Sequence, residues 1–129
     1  MDTKQLLAKV RQARQGTVDL GDGMSVTFIR PPEADFNTLL KSHADGESTW
    51  EVGLPQVKKY VIGWNGFKES FFLGAGVGSD DAVPFDAELW SEIIDDRGEW
   101  VGKVARKILD AVVEYINRKA EDSGNSAPG

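Results

Sequence analysis

Cysteine is absent from the 129 residues, which excludes disulfides and thiolate metal sites. That absence fits a reducing compartment. Histidine is nearly absent: His43 is the only one, so no histidine cluster for zinc exists, and no metal or other cofactor is expected. It lies in the polar segment "KSHADGES", a setting for an exposed rather than a catalytic residue. No apolar run approaches the roughly 20 residues of a transmembrane helix, so no membrane partner is expected. The opening "MDTKQLLAKVRQARQG" is mixed and charged, without the apolar stretch of a signal peptide. The expected location is the cytoplasm. Excess positive charge is missing too. The net charge of −6 disfavours the broad phosphate neutralisation that nucleic-acid binding requires.

What is present fits one small domain with a modest core, since apolar residues make up 40% of the chain. Charge is unevenly placed. From Asp80 to Glu99 eight acids face the single base Arg97, whereas Lys4, Lys9, Arg11 and Arg14 stand against Asp2 near the start. One reading is solvated helix faces of opposite sign; the other is an acidic face for a basic partner.

Helical spacing of Leu6, Leu7, Val10 and Ala13 predicts a helix over Thr3–Gln15, with Gly16 at its C-terminal cap. Its apolar stripe is narrow, as in a helix that frays or docks on a partner. Gly21-Asp22-Gly23 between two alternating segments predicts a β-hairpin of 17–20 and 24–29. Val18 and Leu20 are expected on one face and Val26 and Phe28 on another. Pro31-Pro32 ends the second strand, and a helix near Glu33 carries Phe36, Leu39 and Leu40. Residues 42–53 read as loop. "LPQVKKYVIGWNGF" fits helix or strand over Tyr60–Trp64; a helix entering a turn is the expectation, followed by a short extended piece over 67–73.

Asp86 reads as an N-cap, with Phe85 before it and Trp90 four residues into the helix, the two positions of a hydrophobic staple. This helix ends near Arg97-Gly98. A last helix over about 99–119 aligns Val101, Val104, Ala105, Ile108, Val112, Tyr115 and Ile116. The fold expected is a mostly helical α+β single domain over 1–120, with an N-terminal β-hairpin and a C-terminal helix pair. Residues 121–129 are expected as a disordered polar tail.

The stretch "FFLGAGVGSDDAVPFDAELW" has the strand, glycine loop, helix order of many nucleotide sites. Its chemistry does not follow. The spacing is G-x-G-x-G, with Ser79 where the dinucleotide fingerprint needs glycine, and the Lys-Ser/Thr of a P-loop is missing. Asp80 and Asp81 would repel a phosphate. A calcium loop on the same pair lacks the bidentate glutamate. No serine has a G-x-S-x-G context. Adjacent acids such as Asp95 and Asp96 point about 100° apart on a helix, a poor arrangement for joint acid–base work. A connection is the expected role of the loop, and no catalytic site is expected. Four tryptophans, Trp50, Trp64, Trp90 and Trp100, either fill the core or anchor an interface. The candidate protein-binding residues are Trp64, Phe67, Trp90 and Trp100.

The segment "YVIGWNGFKESFF", its glycine loop and "DDAVPFDAELWSEIIDDRGEWVGKVARKILDAV" resemble small proteins of the tail modules of long-tailed bacteriophages and prophages, the tail assembly chaperones. Trp64, Gly66, Val83, Pro84, Phe85, Asp86, Leu89, Trp90, Asp96, Arg97 and Trp100 carry the likeness, which covers roughly Val18 to Ile116. It implies a non-enzymatic chaperone in the host bacterial cytoplasm whose partners are the tape measure protein and the tail tube subunit. A homo-oligomer is compatible with it. The runner-up reading is a structural virion component, a tail completion or head–tail joining protein; a small ligand-binding domain is the third.

Overall fold

The structure is a computed structural model that describes the backbone of residues 1–126 and the side chains of residues 1–122. It is a small α+β domain, with an N-terminal β-hairpin and helices at the C-terminal end. A leading helix α1 (Thr3–Ala13) precedes the hairpin strands β1 (Gln15–Gly21) and β2 (Met24–Ile29). A 3-10 helix (Glu33–Leu39) leads into a small hairpin, β3 (Leu40–Ser42) and β4 (Ser48–Trp50). Then follow α2 (Leu54–Tyr60), β5 (Val61–Asn65), α3 (Glu69–Leu73), α4 (Ala87–Ile94) and α5 (Gly98–Ser126).

The hairpin turn forms where the glycines and aspartate place it: Gly21, Asp22 and Gly23 all have positive φ. Register pairs Val18 with Val26, and β5 joins the other edge of β2, giving an antiparallel sheet of order β1-β2-β5. Directly paired residues share a face. Val18, Leu20, Val26 and Phe28 therefore lie on one buried face and not on two. Helix α5 crosses that face with Trp100, Val104 and Ile108, and α4 adds Trp90 and Ile94. A smaller cluster of Phe36, Leu39 and Val112 lies further along α5, under Trp50 and Tyr115.

Several local expectations give way to packing. Helix α1 ends at Ala13; Gln15 and Gly16 belong to β1, since pairing with Ile29 and Phe28 satisfies their backbone. Leu40 leaves the helix and is exposed in β3. Within 42–53, Ser48–Trp50 pairs back on Leu40–Ser42. The ambiguous Tyr60–Trp64 is split: the helix stops at Tyr60 and Val61 starts a strand, because β2 has an open edge there. Phe67–Leu73 is not extended. Residues 69–73 form α3, whose Phe71 and Phe72 pack on the core. The chain also remains helical to Ser126, past the expected end of order near Ala120; residues 127–129 of the expected tail lie outside the described residues.

The α4 start is as expected. The Asp86 carboxylate accepts the Leu89 amide at 2.9 Å, Trp90 is fully buried and Phe85 is half-buried. Gly66 is required for a different reason. Its φ is +81°, and a Cβ there would overlap the carbonyl oxygen of Gly23.

Two carboxylates tie the 3-10 helix to the helices around it. The Tyr60 hydroxyl donates to Asp35 at 2.7 Å, and Tyr115 and Lys119 donate to Glu33 at 2.8 and 2.6 Å. The Tyr60 hydrogen bond, with Lys59 nearby, holds the Asp35 carboxyl below its ordinary value. Lys119 and then Tyr115 do the same to Glu33. Burial, and then Asp35, push the Tyr60 hydroxyl up.

Two sets of measurements check this account. Asp86→Ala should lower stability by about 1 kcal/mol through the lost cap. Gly66→Ala should cost about 2–3 kcal/mol from strain and overlap. Denaturant midpoints in the reverse order would contradict the turn geometry. Depressed carboxyls stabilise above their unfolded value near 4, and that contribution is lost as pH falls through the lower folded values. A raised tyrosine stabilises below about 10, and its contribution is lost as pH rises further. Melting temperature should therefore be flat between the two and fall on each side. The acid-side fall should be shallower in a Glu33→Gln, Asp35→Asn double variant; an unchanged slope would place the acid sensitivity elsewhere.

Candidate protein-interaction surface

The glycine loop turns out to be a packing device. After α3 the chain doubles back along 67–70: Ser70 donates its amide to Ser79 O at 2.9 Å, Glu69 to Asp81 O at 3.0 Å, and Val83 to Phe67 O at 2.8 Å. Gly78 lies so close to the Glu69–Ser70 backbone that a Cβ would sit 2.7 Å from it. The amides of Ser79 and Asp81 are taken by the Glu69 carboxylate and the Ser79 hydroxyl, and Asp80 and Asp81 stand exposed at the loop's end. His43 is exposed in the β3–β4 hairpin, 2.7 Å from the Thr49 hydroxyl. Among the described residues no three His, Asp or Glu side chains converge as metal ligands, and no helix is long and apolar enough to cross a membrane.

The four aromatic candidates are interior residues. Phe67, Trp90 and Trp100 are buried, so none can meet a partner in this conformation. Only Trp64 keeps partial exposure, and it is fixed from several sides. It stacks on Phe67 at 4.5 Å, meets Phe85 edge-on at 5.0 Å, and donates its indole N–H to Val83 O at 2.7 Å. Trp100 stacks with Phe71, and the Arg97 guanidinium covers both rings at 4.9 and 5.0 Å. Trp90 donates to Val57 O at 3.1 Å. Trp64, Val83, Phe85, Arg97 and Trp100 therefore belong to one packed frame, with Phe67 and Phe71 between them. Burial of an aromatic side chain depends on what packs over it, which spacing along the chain does not encode.

Apolar surface is left uncovered on α1, and also at Leu73 and Val77 beside the glycine loop. Asp2 and Gln5 form a capping box, with Asp2 Oδ1 2.8 Å from the Gln5 amide, so the helix is well started. Yet no residue of α1 is buried, and Leu6 and Leu7 are 53% and 48% exposed. On the helix, Leu6, Leu7, Val10 and Ala13 fall within one stripe; Lys4 and Arg11 flank one edge and Lys9 the other. Beyond α1 a groove opens towards α5. Val10, Ala13, Phe28 and Ala111 contribute apolar lining, and Arg14, Arg30 and Lys107 contribute charge. On α5, Val113 is exposed beside half-buried Leu109. The sequence signal for this surface was the narrow stripe of α1, already consistent with docking; the α5 side is brought to it only by the fold.

Compared with protein-family models, curated proteins and solved structures, the chain matches none of them.

Core and surface roles separate in one experiment. Phe67→Ala and Trp90→Ala should each cost about 3–5 kcal/mol. Leu6→Ser and Leu7→Ser should cost far less, no more than about 1 kcal/mol each, since about half of each side chain stays exposed. Chemical denaturation reads both. A large loss at Leu6 or Leu7 would mean that α1 packs on the body.

Proposed function

We propose that this chain is a non-enzymatic, protein-binding tail assembly chaperone of a long-tailed phage or prophage. It acts in the host bacterial cytoplasm, with the tape measure protein and the tail tube subunit as partners. The observation that carries the reading is α1: an amphipathic helix with a basic rim whose apolar stripe is left uncovered. A helix presenting Leu6, Leu7 and Val10 fits the helix-in-groove and helix-on-helix modes of recognition. A tape measure protein, long and helical, exposes apolar stripes before the tube encloses it. A small acidic protein lying on such a stripe keeps it from self-association while adding negative charge to the complex. The likeness of "VPFDAELW" and "DDRGEW" to tail-module proteins supplies the choice of partner.

Co-expression with the tape measure protein from the same tail module should give a stable soluble complex. Leu6→Asp together with Leu7→Asp should abolish its capture and leave the protein folded. The protein should also be missing from purified virions. Retention in virions at a fixed copy number would replace this reading with that of a structural virion component. Unchanged capture by the double variant would remove α1 from the binding surface.

A further inference from the structure

The two charged regions of this chain complement each other but do not meet. The first fourteen residues hold four bases and one acid; the other residues hold eleven bases and twenty acids. On this acidic body the groove between α1 and α5 is a basic exception. Arg14, Arg30 and Lys107 lie along it, and Arg118 adds a fourth base. The groove carboxylates Asp110 and Glu114 are already engaged by Arg106 and Arg118 on the same helix. Arg14 and Lys107 have no ion-pair or side-chain hydrogen-bond partner among the described residues. The Arg30 guanidinium is held 4.0 Å over the Tyr115 ring, with a hydrogen bond to Pro31 O at 2.8 Å. Burial, and then Arg14 beside it, push Arg30 below the ordinary guanidinium value, with Tyr115 and Glu33 opposing the shift.

The opposite pole lies at the other end of α5. Asp86, Glu88 and Glu92 line a shallow groove of α4 with Leu89 and Ser91. Asp96 and Glu99 follow, also exposed, and neither they nor Glu88 and Glu92 has a cationic partner among the described residues. From Glu99 to the centre of the basic groove is roughly 20 Å along the helix at ~1.5 Å per residue. That is more than two Debye lengths at physiological salt, so one pole does not neutralise the other within a molecule.

We infer that copies of this chain associate head to tail, the basic groove between α1 and α5 of one copy receiving the acidic α4 face of the next. Ala13, Phe28 and Ala111 offer apolar contact within the groove, and Leu89 offers it on α4. Because the two surfaces differ, the contact is heterologous and produces a ring or an open row of copies rather than a two-fold dimer. Val10 lines this groove but Leu6 and Leu7 do not, so the Leu6 and Leu7 part of the partner surface proposed for α1 stays available along such a row.

Charge reversal decides it. The groove variant is Arg14→Glu with Lys107→Glu; the face variant is Glu88→Lys with Glu92→Lys. All four positions are exposed, and circular dichroism confirms the fold of each variant. The wild type should show concentration-dependent mass above the monomer by sedimentation at about 0.05 M salt, weakened at least roughly tenfold at about 0.5 M. Each variant alone should be monomeric. Mixed in equal amounts, they should associate again in alternation, since the native face of one meets the native groove of the other and the two reversed surfaces complement each other. A chain carrying all four reversals should associate again. A wild type that stays monomeric at low salt, association insensitive to salt, or folded variants that fail to pair when mixed would each overturn the inference. None of these outcomes depends on the tape measure protein, and the Leu6, Leu7 variant should associate as the wild type does.

Discussion

The indole of Trp90 holds the junction on which the fold turns. It is fully buried, and its N–H donates to Val57 O in the last turn of α2. Carbonyls in a last helical turn lack intrahelical partners, and here a side chain from α4 supplies one. The matter is large because α2 spans only seven residues and becomes β5 at Val61 with no intervening loop. A helix that short is not stable by itself. Packing from α4 and α5 keeps it helical, and its fixed end then delivers Val61–Asn65 to the free edge of β2. The Lys58–Asp95 ion pair at 2.7 Å joins the same two helices, but half-exposed pairs of this kind contribute about 0–1 kcal/mol. The buried indole is the stronger tie.

From that junction the aromatic frame spreads outward. Trp64, at the end of β5, meets Phe67, Phe72 and Phe85, and Phe67 and Phe71 carry the contact on to Trp100 in the first turn of α5. The glycine loop belongs to this frame. It must return close to α3 so that Val83 can accept the Trp64 indole and Asp86 can start α4, and Gly78 permits that return. A motif built of such residues marks a scaffold. Two chains sharing it share a way of packing.

The two charged surfaces lie at the two ends of α5, a helix of 29 residues. One end carries the acids of α4, the other the bases beside α1. Separation along a rigid element keeps both poles unsatisfied inside the molecule, which makes each available to something outside it. The apolar stripe of α1 adds the non-polar area that charge alone does not provide.

Sequence by itself determined the elements whose signals are local. The Gly21–Gly23 hairpin follows from turn chemistry, the α4 start from the Asp86 cap, and α5 from a sustained apolar period. The amphipathic character of α1 was legible too. Tertiary structure decided what depends on distant partners. Val61–Trp64 is strand because β2 offers hydrogen bonds, 69–73 is helix because Phe71 and Phe72 pack inward, and Ser48–Trp50 pairs with a segment eight residues back. It also decided that Phe67, Trp90 and Trp100 are interior and Leu6 and Leu7 exposed. All five are apolar residues in fitting patterns, and burial is a property of what the rest of the chain places over a side chain, not of the side chain or its neighbours in sequence.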